Sequence, residues 1–252
     1  TKSNLILLKI VLTSNWKSFV NYNVSLNIKP AEVIKIALFG SFYRGFSVLD
    51  ELLNGPLSDF ISVVGVVTDD PSANFISSKK RIWQYGYNSQ EANMVTDLAK
   101  LNDCEVYKGK VKCESFYDLI EKKWMPDLCI MATFGQKIDA RLYNYPTMGF
   151  INFHPSDDGS WPSKYAGPNP FSEMIKDGHK DCFLTLHCVD SSFDTGSIIS
   201  RTERIPIPPS VSPKDMHKIS SPYIRHPLRC YISEKINNKS DQKIYPSINL
   251  KD

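Results

Sequence analysis

Three polar residue types, two close together and one some forty residues on, suit a transfer in which an amine attacks a carbonyl-like carbon. Asn152-Phe153-His154-Pro155-Ser156 carries a neutral amide donor and a titratable imidazole. Asp194-Thr195-Gly196 adds a carboxylate in a turn-forming context. The attacking amine must lose a proton, and an imidazole titrates in the range needed to take it. A carboxylate beside the ring fixes its tautomer and stabilises the imidazolium. A side-chain amide donates to the oxygen that becomes negative. Each residue alone has an ordinary reading as a turn former or a satisfied structural group. Their order and setting favour the catalytic one. His187, in Phe183-Leu184-Thr185-Leu186-His187-Cys188-Val189, shares a strand face with Thr185 and Val189 and is read first as a structural hydrogen bonder.

Strands and helices alternate ahead of these residues. Ile34–Gly40 reads as a buried strand, followed by a helix carrying Phe46, Leu49, Leu52 and Leu53, which Asn54-Gly55-Pro56 stops. Phe60–Val67 is a second strand, ended by Asp69-Asp70-Pro71-Ser72. Ser89 is the expected N-cap of a helix with Ala92, Val95, Leu98 and Ala99 on one face. Another helix covers Glu114–Lys122, and strands cover Asp127–Ala132 and Gly149–Phe153. Ser197–Ile205 reads as a return strand that stops at Pro206 and Pro208-Pro209. This alternation predicts an α/β, doubly wound, Rossmann-like and mostly parallel sheet, whose ligands sit beyond the carboxyl ends of the strands. Gly40-Ser41-Phe42-Tyr43-Arg44-Gly45 is not a dinucleotide fingerprint. Arg44 there reads either as a solvated side chain or as a contact to a substrate phosphate.

At 252 residues and 42% apolar content the chain can hold a sizeable core. A formal charge of +3 is too small to argue for nucleic acid or membrane. None of the six cysteines is spaced Cys-x-x-Cys, so no metal is expected, and buried reduced thiols point to a cytoplasmic protein. Leu5–Leu12, interrupted by Lys9, lacks the flanks of a secretory signal. Past Ser210 the chain is richer in Ser, Pro, Lys and Arg, with helix candidates at Pro213–Ile219 and at Ile224–Ile236, the latter broken near Pro227.

On Asn152, His154 and Asp194, with His-x-Val and Asp-x-Gly at suitable spacing, the chain resembles the folate-dependent formyltransferase family. That family includes methionyl-tRNA formyltransferase, glycinamide ribonucleotide transformylase and the nucleotide-sugar N-formyltransferases. The resemblance spans roughly Ile34 to Pro209. It implies an N-terminal extension of unknown role over 1–33, a catalytic domain over 34–209 and a C-terminal tail over 210–252. It makes Asn152, His154 and Asp194 the catalytic residues and 10-formyltetrahydrofolate the formyl donor. Met131-Ala132-Thr133-Phe134-Gly135-Gln136-Lys137-Ile138 resembles the segment whose backbone faces the pterin, with Asp190-Ser191-Ser192-Phe193 closing the other side. Met131, Thr133, Phe134, Gln136, Ile138, Asp190 and Phe193 are therefore the expected donor-binding residues.

The loop after His154 separates the family's members by acceptor. Lys164-Tyr165-Ala166-Gly167-Pro168-Asn169-Pro170 is similar to the Lys-Tyr-Arg-Gly-x-Asn-Pro pattern of the sugar N-formyltransferases, departing at Ala166 and at Asp157–Ser160. The resemblance implies an acceptor amine on a nucleotide-linked sugar, a TDP-linked 4-amino- or 3-amino-dideoxyhexose destined for O-antigen or a similar surface glycan. Lys164 would meet the diphosphate, Asn169 a sugar hydroxyl, and Tyr165 or Trp161 a sugar face or base. Trp161 reads equally as a loop anchor. Arg44 completes the expected substrate contacts. The expected partners are the nucleotide sugar and a second copy of the chain, with neither nucleic acid nor membrane. Other readings are a methionyl-tRNA formyltransferase-like enzyme without its second domain, for which the residues past Ser210 are too few, a formyltetrahydrofolate hydrolase, and a non-catalytic nucleotide-sugar or folate sensor.

Overall fold

The first strand shows how the sequence makes two layers around one sheet. β1 (Ile34–Gly40) is apolar at almost every position. Successive side chains of a strand point to opposite faces. Ile34, Ile36 and Leu38 accordingly enter one buried cluster, and Ala37 and Phe39 enter another. The computed structural model describes residues 33–73, 82–159 and 161–244, with side chains to Asn238. The expected extension over 1–33 thus lies outside the described residues, Val33 excepted.

The elements that follow are α1 (Phe42–Asn54), β2 (Ile61–Val67), α2 (Ser89–Leu101), β3 (Val106–Tyr107) and α3 (Glu114–Asp118). Then come β4 (Leu128–Ala132), α4 (Ala140–Tyr143), β5 (Phe150–Ser156), α5 (Pro170–Lys176) and β6 (Asp181–Cys188). The chain continues through β7 (Ile198–Arg201), β8 (Ile205–Pro206), α6 (Pro213–Ser220) and α7 (Arg225–Ile244). The sheet runs β3-β2-β1-β4-β5-β6-β7, with β8 paired to β6. Pairs from β3 to β5 are parallel, whereas β6, β7 and β8 pair antiparallel. The sheet is therefore mostly parallel and doubly wound, with an antiparallel edge. The chain reverses its winding between β1 and β4, where such sheets open a crevice beyond the strand ends.

One face of the sheet packs α1, α2, α5, α6 and α7 through residues such as Leu49, Val95, Phe171, Met216 and Leu228. The other face packs Phe116, Ile120, Trp124 and Leu142 from α3, its continuing turn and α4. Burial of each such side chain contributes about 1.5–3 kcal/mol. At the end of β1 the backbone of α1 comes very close: a Cβ on Gly45 would lie 2.5 Å from the Gly40 carbonyl carbon. Only glycine allows that approach, which brings the first turn of α1 to the crevice.

Several expected boundaries shift. The cap of α2 is Asn88, not Ser89: its side chain accepts from Glu91 N at 2.8 Å, and Glu91 Oε2 accepts from Asn88 N at 2.9 Å. The expected return strand Ser197–Ile205 divides into β7 and β8. Pro227 does not break the last helix. It lies in the first turn of α7, where its missing N–H has no intrahelical acceptor to lose. The division at 209/210 marks no boundary in the packing. Met216, Ile224, Leu228 and Ile232 belong to the main core, and Arg225 and Arg229 grip Glu51 of α1 at 3.2 and 2.6 Å. Among the described residues no helix is long and apolar enough to cross a membrane, and all six cysteines are free.

Candidate active site

Register explains the first contact of the site. β5 and β6 pair antiparallel with Asn152 directly opposite His187, so their side chains stand side by side on one face. The Asn152 amide nitrogen lies 3.1 Å from His187 Nε2 and 3.0 Å from Asp194 Oδ1. His187 Nδ1 lies 2.8 Å from the Cys188 carbonyl, which calls for a hydrogen on Nδ1. A neutral His187 therefore accepts at Nε2, and both hydrogens of the Asn152 amide are engaged. The other carboxylate oxygen of Asp194 accepts from Gly167 N at 2.8 Å and faces His154 Nδ1 at 3.3 Å. His154 Nε2 meets the Tyr165 carbonyl at 2.9 Å.

Asp194 is delivered by a left-handed residue (φ 52°). Two residues on, the chain passes so near β6 that a Cβ on Gly196 would lie 1.9 Å from the Cys188 carbonyl oxygen. This is why Asp-x-Gly places the acid under the two histidines. Thr133 (φ 60°) and Asn169 (φ 67°) are also left-handed, so strained backbone gathers around the same cleft.

The electrostatics follow from burial. Burial pushes the Asp194 carboxyl up, but the adjacent His187 and His154 rings and the Gly167 N–H outweigh it and hold the acid below the usual carboxylate range. Burial lowers the His154 pKa, and the opposing pull of Asp194 and the Tyr165 carbonyl does not restore it. His154 is thus the free base at neutral pH. Its two nitrogens nonetheless face two acceptors, and a neutral ring can satisfy only one. Accepting a proton lets both nitrogens donate, so the site is arranged for the imidazolium.

A cleft of about 240 Å³ runs past these groups. Met131, Thr133, Phe134, Gln136 and Ile138 line it on one side, and Asp190 and Phe193 on the other. The Gln136 side chain is committed to holding Gly109 and Val111, at 3.0 and 3.1 Å, so its backbone is what it offers a ligand. Asp190 shapes its own loop by accepting from Ser192 N and Thr195 Oγ1. Phe193 is 59% exposed, with the Lys137 ammonium 5.1 Å from its ring centroid. Asp69, just past β2 and outside the sequence-based site set, accepts from Gly135 N at 2.9 Å and from Ser41 Oγ at 3.3 Å, and so ties the Phe134-Gly135 turn to the end of β1.

Arg44 and Asn169 line the cleft, but three other expected substrate contacts do not. Lys164 pairs with Asp177 at 3.1 Å. The Tyr165 hydroxyl is held by Asp177 at 2.8 Å and His179 at 2.6 Å. Trp161 donates to the Gly196 carbonyl at 2.8 Å and packs on His187, its ring centroid 5.0 Å away, and so anchors the Asp194 loop. Asn169 meets Gln84 and the Tyr85 hydroxyl through its side-chain oxygen. Tyr85 and His217, absent from the sequence-based set, complete the wall. Neither belongs to a motif, so no local signal marks them.

Comparison with known proteins bears on the family and the fold. Residues 34–220 match the family described as formyl transferase. A methionyl-tRNA formyltransferase from Syntrophomonas wolfei is 33% identical over 98 residues, 39% of this chain and 30% of that protein. One from Clostridioides difficile is 33% identical over 110 residues, 43% of this chain and 34% of that protein. The chain thus spans about a third of the length of these curated relatives. Glycinamide ribonucleotide transformylase 1 from Symbiobacterium toebii shares the fold with a TM-score of 0.61 at 14% identity, covering 82% of this chain and 89% of that one. A formyltetrahydrofolate deformylase from Pseudomonas syringae pv. tomato does so with a TM-score of 0.57 at 18% identity, covering 81% of this chain and 63% of that one. With most of its length matched by that family, the chain belongs to the formyl transferases.

Proposed function

We propose that this chain transfers the formyl group of 10-formyltetrahydrofolate to the amino group of a nucleotide-linked deoxyamino sugar. Family membership supplies the reaction class and the donor. One observation supports the acceptor: the segment patterned Lys-Tyr-x-Gly-x-Asn-Pro is wired into the reacting groups. Its Tyr165 carbonyl meets His154, its Gly167 N–H meets Asp194, and its Asn169 lines the cleft. The partly apolar cleft lined by Phe134 and Phe193 suits a pterin read by backbone groups on two loops.

The donor supplies an electrophilic formyl carbon. His154 takes the proton of the attacking amine, directly or through one water, and Asp194 with the Tyr165 carbonyl stabilises the imidazolium. Asn152 turns an amide hydrogen to the developing oxyanion. A full negative charge is a stronger acceptor than the neutral His187 nitrogen that now holds that hydrogen. His154 then returns the proton to the departing folate nitrogen as the old carbon–nitrogen bond breaks. His187, locked by the Cys188 carbonyl, orients Asn152 and is a positioning residue.

The test is an assay with the folate donor and a panel of TDP-linked amino sugars and methionyl-tRNA, read by mass spectrometry. One added formyl group on an amino sugar supports the reading. Formylation of the tRNA alone replaces it with the methionyl-tRNA reading, which the curated relatives' names favour. Binding of nucleotide sugar without turnover points to a sensor. The proposal includes a homodimer through β7, which ends the described sheet path and so presents an edge for pairing. Sedimentation as a monomer at micromolar concentration would remove that part.

A further inference from the structure

Tyr165 joins the surface of the protein to the reacting histidine. Its ring is buried in the main core, and its phenol ends at Asp177, the C-cap of α5, and at His179, just ahead of β6. A phenol carries one hydrogen. Tyr165 gives it to Asp177 Oδ2 at 2.8 Å, so its oxygen accepts from His179 Nε2 at 2.6 Å. At the other end of the residue, the Tyr165 carbonyl meets His154 Nε2 at 2.9 Å. Two residues on, Gly167 N donates to Asp194 Oδ2 at 2.8 Å. Tyr165-Ala166-Gly167 thus straps the histidine and the acid together.

The two contacts of the His154 ring are unequal. Nε2 lies at hydrogen-bond length from a carbonyl, which can only accept. Nδ1 lies 3.3 Å from Asp194 Oδ2, against about 2.7–2.9 Å for a charge-assisted hydrogen bond. Both oxygens of Asp194 are already served, by the Asn152 amide and the Gly167 N–H. A neutral ring has one N–H to place. On Nδ1 it would leave two lone pairs facing each other at 2.9 Å, whereas on Nε2 the same conflict falls on the longer contact. We propose that Tyr165 is a positioning residue: its tethered ring sets its carbonyl on His154 Nε2, which makes Nδ1, beside Asp194, the nitrogen that takes the proton of the amine. The carboxylate therefore receives the new N–H and does not choose the resting tautomer. The proton leaves the amine for Nδ1 as the new carbon–nitrogen bond forms, and leaves Nδ1 for the folate nitrogen as the old one breaks. This rests on His154 as the base of the formyl transfer proposed above. The other groups whose charge bears on the ring are His187 on β6, Arg44 on α1 and His217 on α6.

The first measurement needs no substrate. Long-range proton–nitrogen NMR correlation on the full chain with isotope-labelled histidine, at mildly alkaline pH, should show the His154 hydrogen on Nε2. Asp194→Asn should leave it there. A hydrogen on Nδ1, or a tautomer that switches in Asp194→Asn, would overturn the proposal. Tyr165→Phe keeps the ring and drops the tether, and Asp177→Ala loosens it from the surface should Tyr165→Phe fail to fold. In both, the titration midpoint of His154 should fall, because the carbonyl favours the protonated ring. In turnover, kcat should drop about two- to tenfold, the equivalent of one neutral hydrogen bond, with both KM values held. A merely structural role would lower the melting temperature and leave tautomer, midpoint and kcat of the folded protein in place, and that result would refute the tether. Formyl transfer by a folded His154→Ala protein would remove the base reading, while the tautomer seen without ligand would stand.

Discussion

The two walls of the cleft are built on opposite principles. On the β5–β6 wall the charge is saturated: the Asp194 carboxylate is met by the Asn152 amide, the Gly167 N–H and the His154 ring. On the α1–α6 wall the charge is left open: Arg44 has two contacts at the limit of hydrogen bonding, and both its Nε and His217 Nδ1 have none. A saturated network holds its groups still, which is what proton transfer and oxyanion stabilisation need. On the proposed reading, an open cationic lobe stores a demand that the acceptor meets, and chemistry and recognition are separated across one crevice.

The most severe way to break that comparison is to remove the chemistry. His154→Ala should lower formyl transfer by about a hundred- to ten-thousand-fold, the usual contribution of a positioned base. Asn152→Ala removes an oxyanion donor worth about 2.7–4 kcal/mol of barrier. Both variants should keep the melting-temperature shift that the nucleotide sugar gives the wild type, because Arg44 lies on the other wall. Circular dichroism and thermal melts check this. An active, folded His154→Ala protein would remove the base from His154.

The asymmetry also explains what the sequence revealed. Asn152, His154 and Asp194, whose side chains the structure brings together, were legible because a strand and a tight turn fix them. The parallel sheet was legible because β1, β2 and β4 are almost entirely apolar, broken only by Lys35 and Ser62. Illegible were the groups that act through backbone. Tyr165 contributes a carbonyl to His154 while its ring is held by Asp177 and His179, and Gly167 contributes an N–H. Nothing in residue type distinguishes those atoms. His217 was illegible for a different reason: it reaches the cleft only because α6 packs against α1 and α5, far away in the chain. The short α5 escaped because Pro168-Asn169-Pro170 reads as loop, although Pro170 occupies the first helical turn, where proline is tolerated. Two-residue β3 has too little pattern to see.

Loosening the open wall should be the next largest effect. Met216, fully buried, precedes His217 on α6 and anchors it to the core. Met216→Ala should cost about 2–5 kcal/mol of stability, as for other large-to-small core changes. In urea melts this appears as a lower midpoint. In kinetics it should weaken acceptor binding more than donor binding; equal weakening would mean that α6 serves both.

A milder perturbation is pH. Burial lowers the pKa of His154, and lowers that of His217 further below 6.5, helped by Arg44 and His154. The unfolded chain then binds more protons just below 6.5. The stability these neutral rings provide is full above about pH 6.5 and is lost as pH falls through their folded values. Each ring contributes at most about 1.4 kcal/mol per pH unit within that window. The melting temperature should therefore fall from pH 7 to pH 5, and His217→Phe, which keeps a ring among Phe42, Tyr85 and Phe171, should flatten the slope. An unchanged slope would mean that His217 titrates normally. The acid limb of kcat/KM should lie below 6.5 for the same reason. Arg44→Met should move it upward, since Arg44 opposes protonation of His154.

The smallest expected effect is at Lys164, the residue whose type most suggests a diphosphate contact. Its ammonium sits 3.1 Å from Asp177 with the side chain 61% exposed, and it does not line the cleft. Exposed ion pairs contribute about 0–1 kcal/mol. Lys164→Met should leave the melting-temperature shift with nucleotide sugar unchanged and alter the acceptor KM by less than about threefold, within the same small range. Arg44→Met, in the same assay, should shrink the shift. If Lys164→Met shrank it while Arg44→Met did not, the diphosphate contact would belong to the loop after β5, and the open wall would need another explanation for its unpaired charge.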